Sequence, residues 1–95
     1  MSQSTAQRIV IAVLGKNRPG IVAGVSGVLG EADVDIRDIT QSIIGEIFTM
    51  TMIADIGASP LGFTELQSKL SALSGEIGVE ISVQREDVFT LMHRL

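Results

Sequence analysis

From Arg8 to Leu14 every position after the first is apolar, with Ile9, Ile11 and Val13 alternating against Val10, Ala12 and Leu14. A strand apolar on both parities suits the middle of a sheet whose two faces are covered, so this stretch predicts a central strand. The period then changes. From Gly20 onward Ile21, Val22, Val25, Val28, Leu29 and Ala32 recur at steps of one, three and four, which predicts an amphipathic helix to about Ala32. Val34–Ile44 is β-branched and alternating, but its apolar parity flips between Ile36 and Ile39, the signature of a bulge or bend. Gly45-Glu46 is a Gly-X pair suited to a type II′ turn, leading into a partner strand over Ile47–Ile56. On that strand Phe48, Met50, Met52, Ala54 and Ile56 share one face, where Met50 and Met52 fit a helix-covered core, and Thr49, Thr51 and Asp55 share the other.

After the punctuation of "GASPLGF", the residues Phe63, Leu66, Leu70, Leu73 and Ile77 fall at helical steps, with Thr64 and Gln67 spaced as a capping box and Gly75 and Gly78 bracketing the end. Val79–Arg85 sets Val79, Ile81 and Val83 against Glu80, Ser82 and Gln84, as an edge strand does. "EDVFTLMHRL" starts acidic, ends with His93 and Arg94, and places Val88, Phe89, Met92 and Leu95 on one side, predicting a short third helix. The resulting order, β-α-β-β-α-β plus a terminal helix, is that of an α+β, ferredoxin-like fold. Two right-handed crossovers around a hairpin give a four-stranded antiparallel sheet of order 4-1-3-2 with two helices on one face. The other face of the first strand then needs cover, from the terminal helix or from another subunit.

Composition narrows the partners. The 95 residues carry 45% hydrophobic side chains, enough for one globular domain, expected to span 1–95 with 1–6 as a polar tail. No run approaches the roughly 20 apolar residues that cross a bilayer, and "MSQSTAQ" lacks the features of a secretory signal, so no membrane is expected. The absence of cysteine removes disulfides and thiolate chemistry and fits a cytoplasmic setting. A net charge of -4, with neither Tyr nor Trp, provides no basic stripe or stacking platform, and direct nucleic-acid binding is not expected.

Chemistry in the ordinary catalytic sense is sparse. His93 is the one histidine and reads as a helix-end residue, and no base-nucleophile pair is visible. Asp33, Asp35 and Asp38 lack the spacing of a metal-binding loop. The first helix is more informative, because Ala23, Gly24, Gly27, Gly30 and Glu31 occupy the side opposite its apolar arc. A face this small invites close approach by another helix, although an unforced surface glycine would look the same. The turn before it, "GKNRPG", has Gly15 and Gly20 at P-loop separation but Ile21 and Val22 where Lys and Ser or Thr would be required, and no G-x-G-x-x-G is present. What remains is a helix N-terminus open to a small carboxylate, or simply a well-formed helix start.

The stretch "GKNRPGIVAGVSGVLGEADVDIRDITQSI" resembles the ACT domain, a small regulatory module of amino-acid-metabolising enzymes with a D/N-R-P-G turn after its first strand and an N-I segment in its second. The match is Asn17, Arg18, Pro19 and Gly20, then Asp35-Ile36 in place of Asn-Ile, and more narrowly the chain looks like the small free-standing prokaryotic members distantly similar to glycine-cleavage regulatory repressors. The resemblance implies a homodimer or higher homo-oligomer joined through strand two, with effector pockets at the interface. It implies ligand contacts from Asn17, Arg18, Pro19, Gly20, Ile21 and Val22, with Asp38, Thr40 and Gln41 on the partner side. Gly24, Gly27, Asp35, Ile36, Arg37 and Ile39 become interface residues. The expected function is a non-enzymatic module that needs no cofactor or metal and binds a small effector, an amino acid. The alternative is a ligand-free dimerisation module partnering an as yet unidentified enzyme or transcriptional regulator.

Overall fold

The computed structural model describes residues 7–92; the 1–6 tail, His93, Arg94 and Leu95 lie outside them. The elements are β1 (Arg8–Lys16), α1 (Ile21–Glu31), β2 (Asp35–Ile44), β3 (Ile47–Asp55), α2 (Phe63–Ile77), β4 (Glu80–Arg85) and α3 (Glu86–Met92). The four strands form one sheet of order β2-β3-β1-β4, antiparallel throughout. This is the ferredoxin-like arrangement that the pattern predicts.

The core lies between the sheet and α1 and α2. In register, Ile9 faces Ala54, Ile11 faces Met52 and Val13 faces Met50, and all of these are buried with Val25, Leu29, Leu66 and Leu70. Full burial of such side chains stabilises by about 1.5–3 kcal/mol each, so the β1–β3 centre dominates the stability of the fold. Val10 points to the opposite face and is only 3% exposed, while α3 contacts β1 and β4. The terminal helix therefore supplies that cover over this part of β1.

Local detail follows sequence chemistry. β1 runs two residues beyond its apolar stretch because Gly15 and Lys16 pair with Phe48 and Ile47. At Gly15 any Cβ would stand 2.8 Å from Val79 Cγ1, so only glycine lets the start of β4 approach so closely. The parity flip in β2 is a bulge: the pairing with β3 shifts between Ile36 and Asp38, leaving Arg37 as the extra residue. Gly45 takes φ 62 at the hairpin, and Gly78 closes α2 in the left-handed region at φ 71.

Two expectations need correction. The Thr64/Gln67 capping box does not form, because α2 begins earlier, with Gly62 as its N-cap. Glu65 Oε1 instead accepts the Gly62 N–H (3.0 Å), and Gln67 donates to the Val83 carbonyl of β4 (3.4 Å). The second concerns Gly24, which does not face open space: a Cβ there would lie 3.5 Å from Leu73 Cδ1 of α2. A Cβ there would make an ordinary contact with α2 inside one chain.

Candidate functional site

β1 ends, the Asn17-Arg18-Pro19-Gly20 turn begins, and the β2–β3 hairpin closes, all at the same end of the sheet. The Asn17 N–H donates to the Glu46 carbonyl at 2.7 Å and ties the turn to the hairpin. Gly20 then takes φ 90, a conformation costly for any residue with a side chain, and so aims the chain into α1. No side chain caps the helix, leaving its first-turn N–H groups unclaimed by a side-chain acceptor. Below them is a cavity of about 400 Å³, lined by Asn17, Arg18, Gly20, Ile21, Val22 and Ala23 on one side. Gln41, Ser42, Ile43 and Phe48 line the other.

Six of the nine expected ligand residues line this cavity within one chain, Asn17, Arg18, Gly20, Ile21, Val22 and Gln41, although the resemblance puts Gln41 on the partner side. The other three do not. Pro19 is exposed on the turn. Asp38 pairs with Ile53 and Thr40 with Thr51, which sets both on the face away from α1 and α2, while Gln41 pairs with Met50 on the helix side. The bulge is the reason, since it fixes which parity of β2 faces the helices, and Asp38 Oδ1 accepts the N–H of Ile39 (2.8 Å). Arg18 lines the cavity, yet its Nη1 donates to the Ile77 carbonyl at 2.8 Å, so its charge closes the last turn of α2. Ser42, Ile43, Phe48 and Ala23 also line it without having been expected there; the alternation of Phe48 and Ile43 across the hairpin carries the signal for those two.

The edge beside this cavity is unusual. Every residue of β2 is exposed, although Ile36, Ile39 and Ile43 face the helix side. Ile39 is 43% and Ile43 57% exposed, because α1 and α2 together are too narrow to cover the outermost strand. Asp35 and Arg37 pair with one another at 2.9 Å in solvent. On α1, added Cβ atoms at Gly27 and Gly30 would meet nothing within 4 Å. Among the described residues no group of His, Cys, Asp and Glu could hold a metal, and no helix is long and apolar enough to cross a membrane.

A βαββαβ sheet layer with a Gly-opened turn over a small polar-rimmed cavity defines a class of small α+β modules. The ACT-domain family model matches residues 7–84, and the chain belongs to that family, whose domains are typically regulatory and ligand-binding. It is 43% identical over 88 residues to the UPF0237 protein of Methanocaldococcus jannaschii, spanning 93% of this chain and 98% of that one. Among solved structures it is similar to an ACT domain protein from Streptococcus pneumoniae, at 35% identity and TM-score 0.78, over 90% of this chain and 96% of the other. The regulatory subunit of aspartate kinase from Thermus thermophilus shares the fold, at 23% identity and TM-score 0.65, over 84% of this chain and 52% of its own.

Proposed function

We propose that this chain is a non-catalytic regulatory module of the cytoplasm that pairs with a second copy along β2 and takes a small metabolite, an amino acid, beside the Asn17–Gly20 turn. The observation that carries the reading is the coincidence of two unfinished surfaces. The apolar helix-side row Ile36, Ile39 and Ile43 lies open next to α1, and its Ile43 end lines the cavity under the uncapped helix N-terminus. A second copy would cover the row and wall the cavity on its open side. A carboxylate suits the free N–H groups of α1, and the Asn17 and Gln41 amides supply both donors and acceptors for an amino group. Binding would alter the pairing only if ligand affinity differs between assembly states, which makes association the quantity to measure.

Sedimentation velocity with a thermal-shift screen of the common amino acids tests this. A dimer is expected, with a dose-dependent rise in melting temperature for at least one amino acid. That response should vanish in Asn17→Ala while the dimer persists. A monomer at high concentration overturns the reading.

One observation favours a second reading, a pairing module without a ligand. Arg18 is engaged at the end of α2 and Asp38 lies on the far face, so among the described residues no free side-chain charge is presented to the cavity. A dimer that responds to no amino acid supports that reading.

A further inference from the structure

A second cavity, of about 490 Å³, opens at the opposite end of the sheet, where β1 begins, β4 ends and α2 starts. Its floor is apolar: Ile9 and Ile56 are buried and Phe63 is half-buried. Four charges line it, from Arg8, Arg85, Glu86 and Asp87, and three have identifiable employment. Arg8 faces Glu86 across a loose 3.9 Å ion pair, and Asp87 Oδ1 accepts the N–H of Val88 at 2.8 Å within its own helix turn.

Arg85 is different. It sits opposite Ile9 in the β1–β4 register, and its guanidinium carbon lies 5.1 Å from the centre of the Phe63 ring. It forms no ion pair with any carboxylate among the described residues. Stacking engages the flat face of a guanidinium and leaves its N–H edge available, the geometry that receives a carboxylate through two parallel bonds. An aromatic ring that pre-orders the arginine also lowers the entropy lost when an anion is gripped.

We propose that this cavity is a binding site for a small carboxylic acid with an aromatic or branched apolar body, its carboxylate held by Arg85 and its body lying against Phe63, Ile9 and Ile56. The site is separate from the Asn17–Gly20 cavity and stands or falls without it. The lining charges balance, two of each sign, and the sign of the ligand follows from Arg85. Its guanidinium stands over Phe63 without a carboxylate partner among the described residues, whereas Glu86 has Arg8 and Asp87 has the Val88 N–H, so an acid fits better than an amine.

The test is amide chemical-shift mapping on ¹⁵N-labelled protein titrated with 3-phenylpropionate, L-phenylalanine and phenethylamine. 3-Phenylpropionate is expected to shift amides in 7–9, 56–63 and 85–87 with saturation. Arg85→Gln should weaken it at least tenfold, Arg85→Lys severalfold, and Asn17→Ala not at all. Phenylalanine binding at the same amides would extend the ligand class to amino acids, and phenethylamine should leave them unmoved. Unmoved amides with 3-phenylpropionate, equal affinity in a folded Arg85→Gln variant, or equal binding of phenethylamine would each overturn the proposal.

Discussion

The two edges of the sheet solve the same problem in opposite ways. A free strand edge offers unpaired backbone groups to any passing strand, and proteins usually blunt it. β4 is blunted: it has six residues, with Glu80, Ser82 and Gln84 on the parity away from α2, and Gln67 of α2 takes its Val83 carbonyl. β2 is not. It has ten exposed residues, four of them isoleucine, and Ile44 at its end is 70% exposed. Under the proposed pairing, the long, branched, apolar edge left open opposite the guarded one is the side a second copy would cover.

The largest expected effect comes from making β2 resemble β4. Ile39→Asp with Ile43→Asp should weaken self-association by about 1.5–3 kcal/mol, since each isoleucine, 43% and 57% exposed, gives up roughly half of the burial of a full side chain. Sedimentation would show a folded monomer; Ser82→Asp on β4, the matched control, should stay within about 0.5 kcal/mol of the parent in association and stability. Unchanged association in the double variant would remove the distinction between the edges. Next is Arg18→Ala, which frees the Ile77 carbonyl at the end of α2 and should cost about 1 kcal/mol in urea melts while leaving the dimer intact. Gln67→Ala removes the guard from Val83 and should cost about 0.5–1 kcal/mol. If it also creates new concentration-dependent association, the side chain protects that edge as well as stabilising it.

The smallest effect concerns pH. The Gly57 N–H donated to Asp55 holds its carboxyl below the ordinary value of 3.8; burial opposes this, and the Gln7 N–H and the Arg37 and Arg8 charges add to it. A carboxyl lowered in the folded state stabilises the fold above its ordinary value, and that contribution is lost as pH falls through the lowered value. Asp55→Asn should therefore be slightly less stable than the parent at neutral pH, and the gap in urea midpoint should close below pH 3.8. Because the bonds lost are those from Gly57 and Gln7, the loosening should begin where β3 ends and β1 starts.

How far the sequence could be read depended on the range of the interactions involved. The β3 face of Phe48, Met50, Met52 and Ala54, the bulge near Arg37 and the Gly45 turn are set by neighbours along the chain, and periodicity exposed each of them. Glu65 with Gly62 and Thr64 with Gln67 have equally good local spacing for a capping box, and in the fold Glu65 takes the Gly62 N–H while Gln67 reaches across to Val83. Arg18, which lines the cavity, also reaches the Ile77 carbonyl, a contact that nothing nearby reveals because it lies 59 residues away. Asp38 and Thr40, expected on the partner side of the pocket, lie on the face of β2 away from the helices, because a one-residue slip at the bulge reverses every later side chain. The cavity at Arg85 had no local signature, as its walls come from both ends of the chain.

The 2.7 Å bond from the Asn17 N–H to the Glu46 carbonyl has a mechanical meaning. It rivets the lip of the cavity to the hairpin from which β2 hangs, so a molecule wedged under Gly20 would push on the pairing strand through one rigid joint. Under the proposed function no long relay is needed, since the lip of the cavity and the hairpin lie within one hydrogen bond of each other.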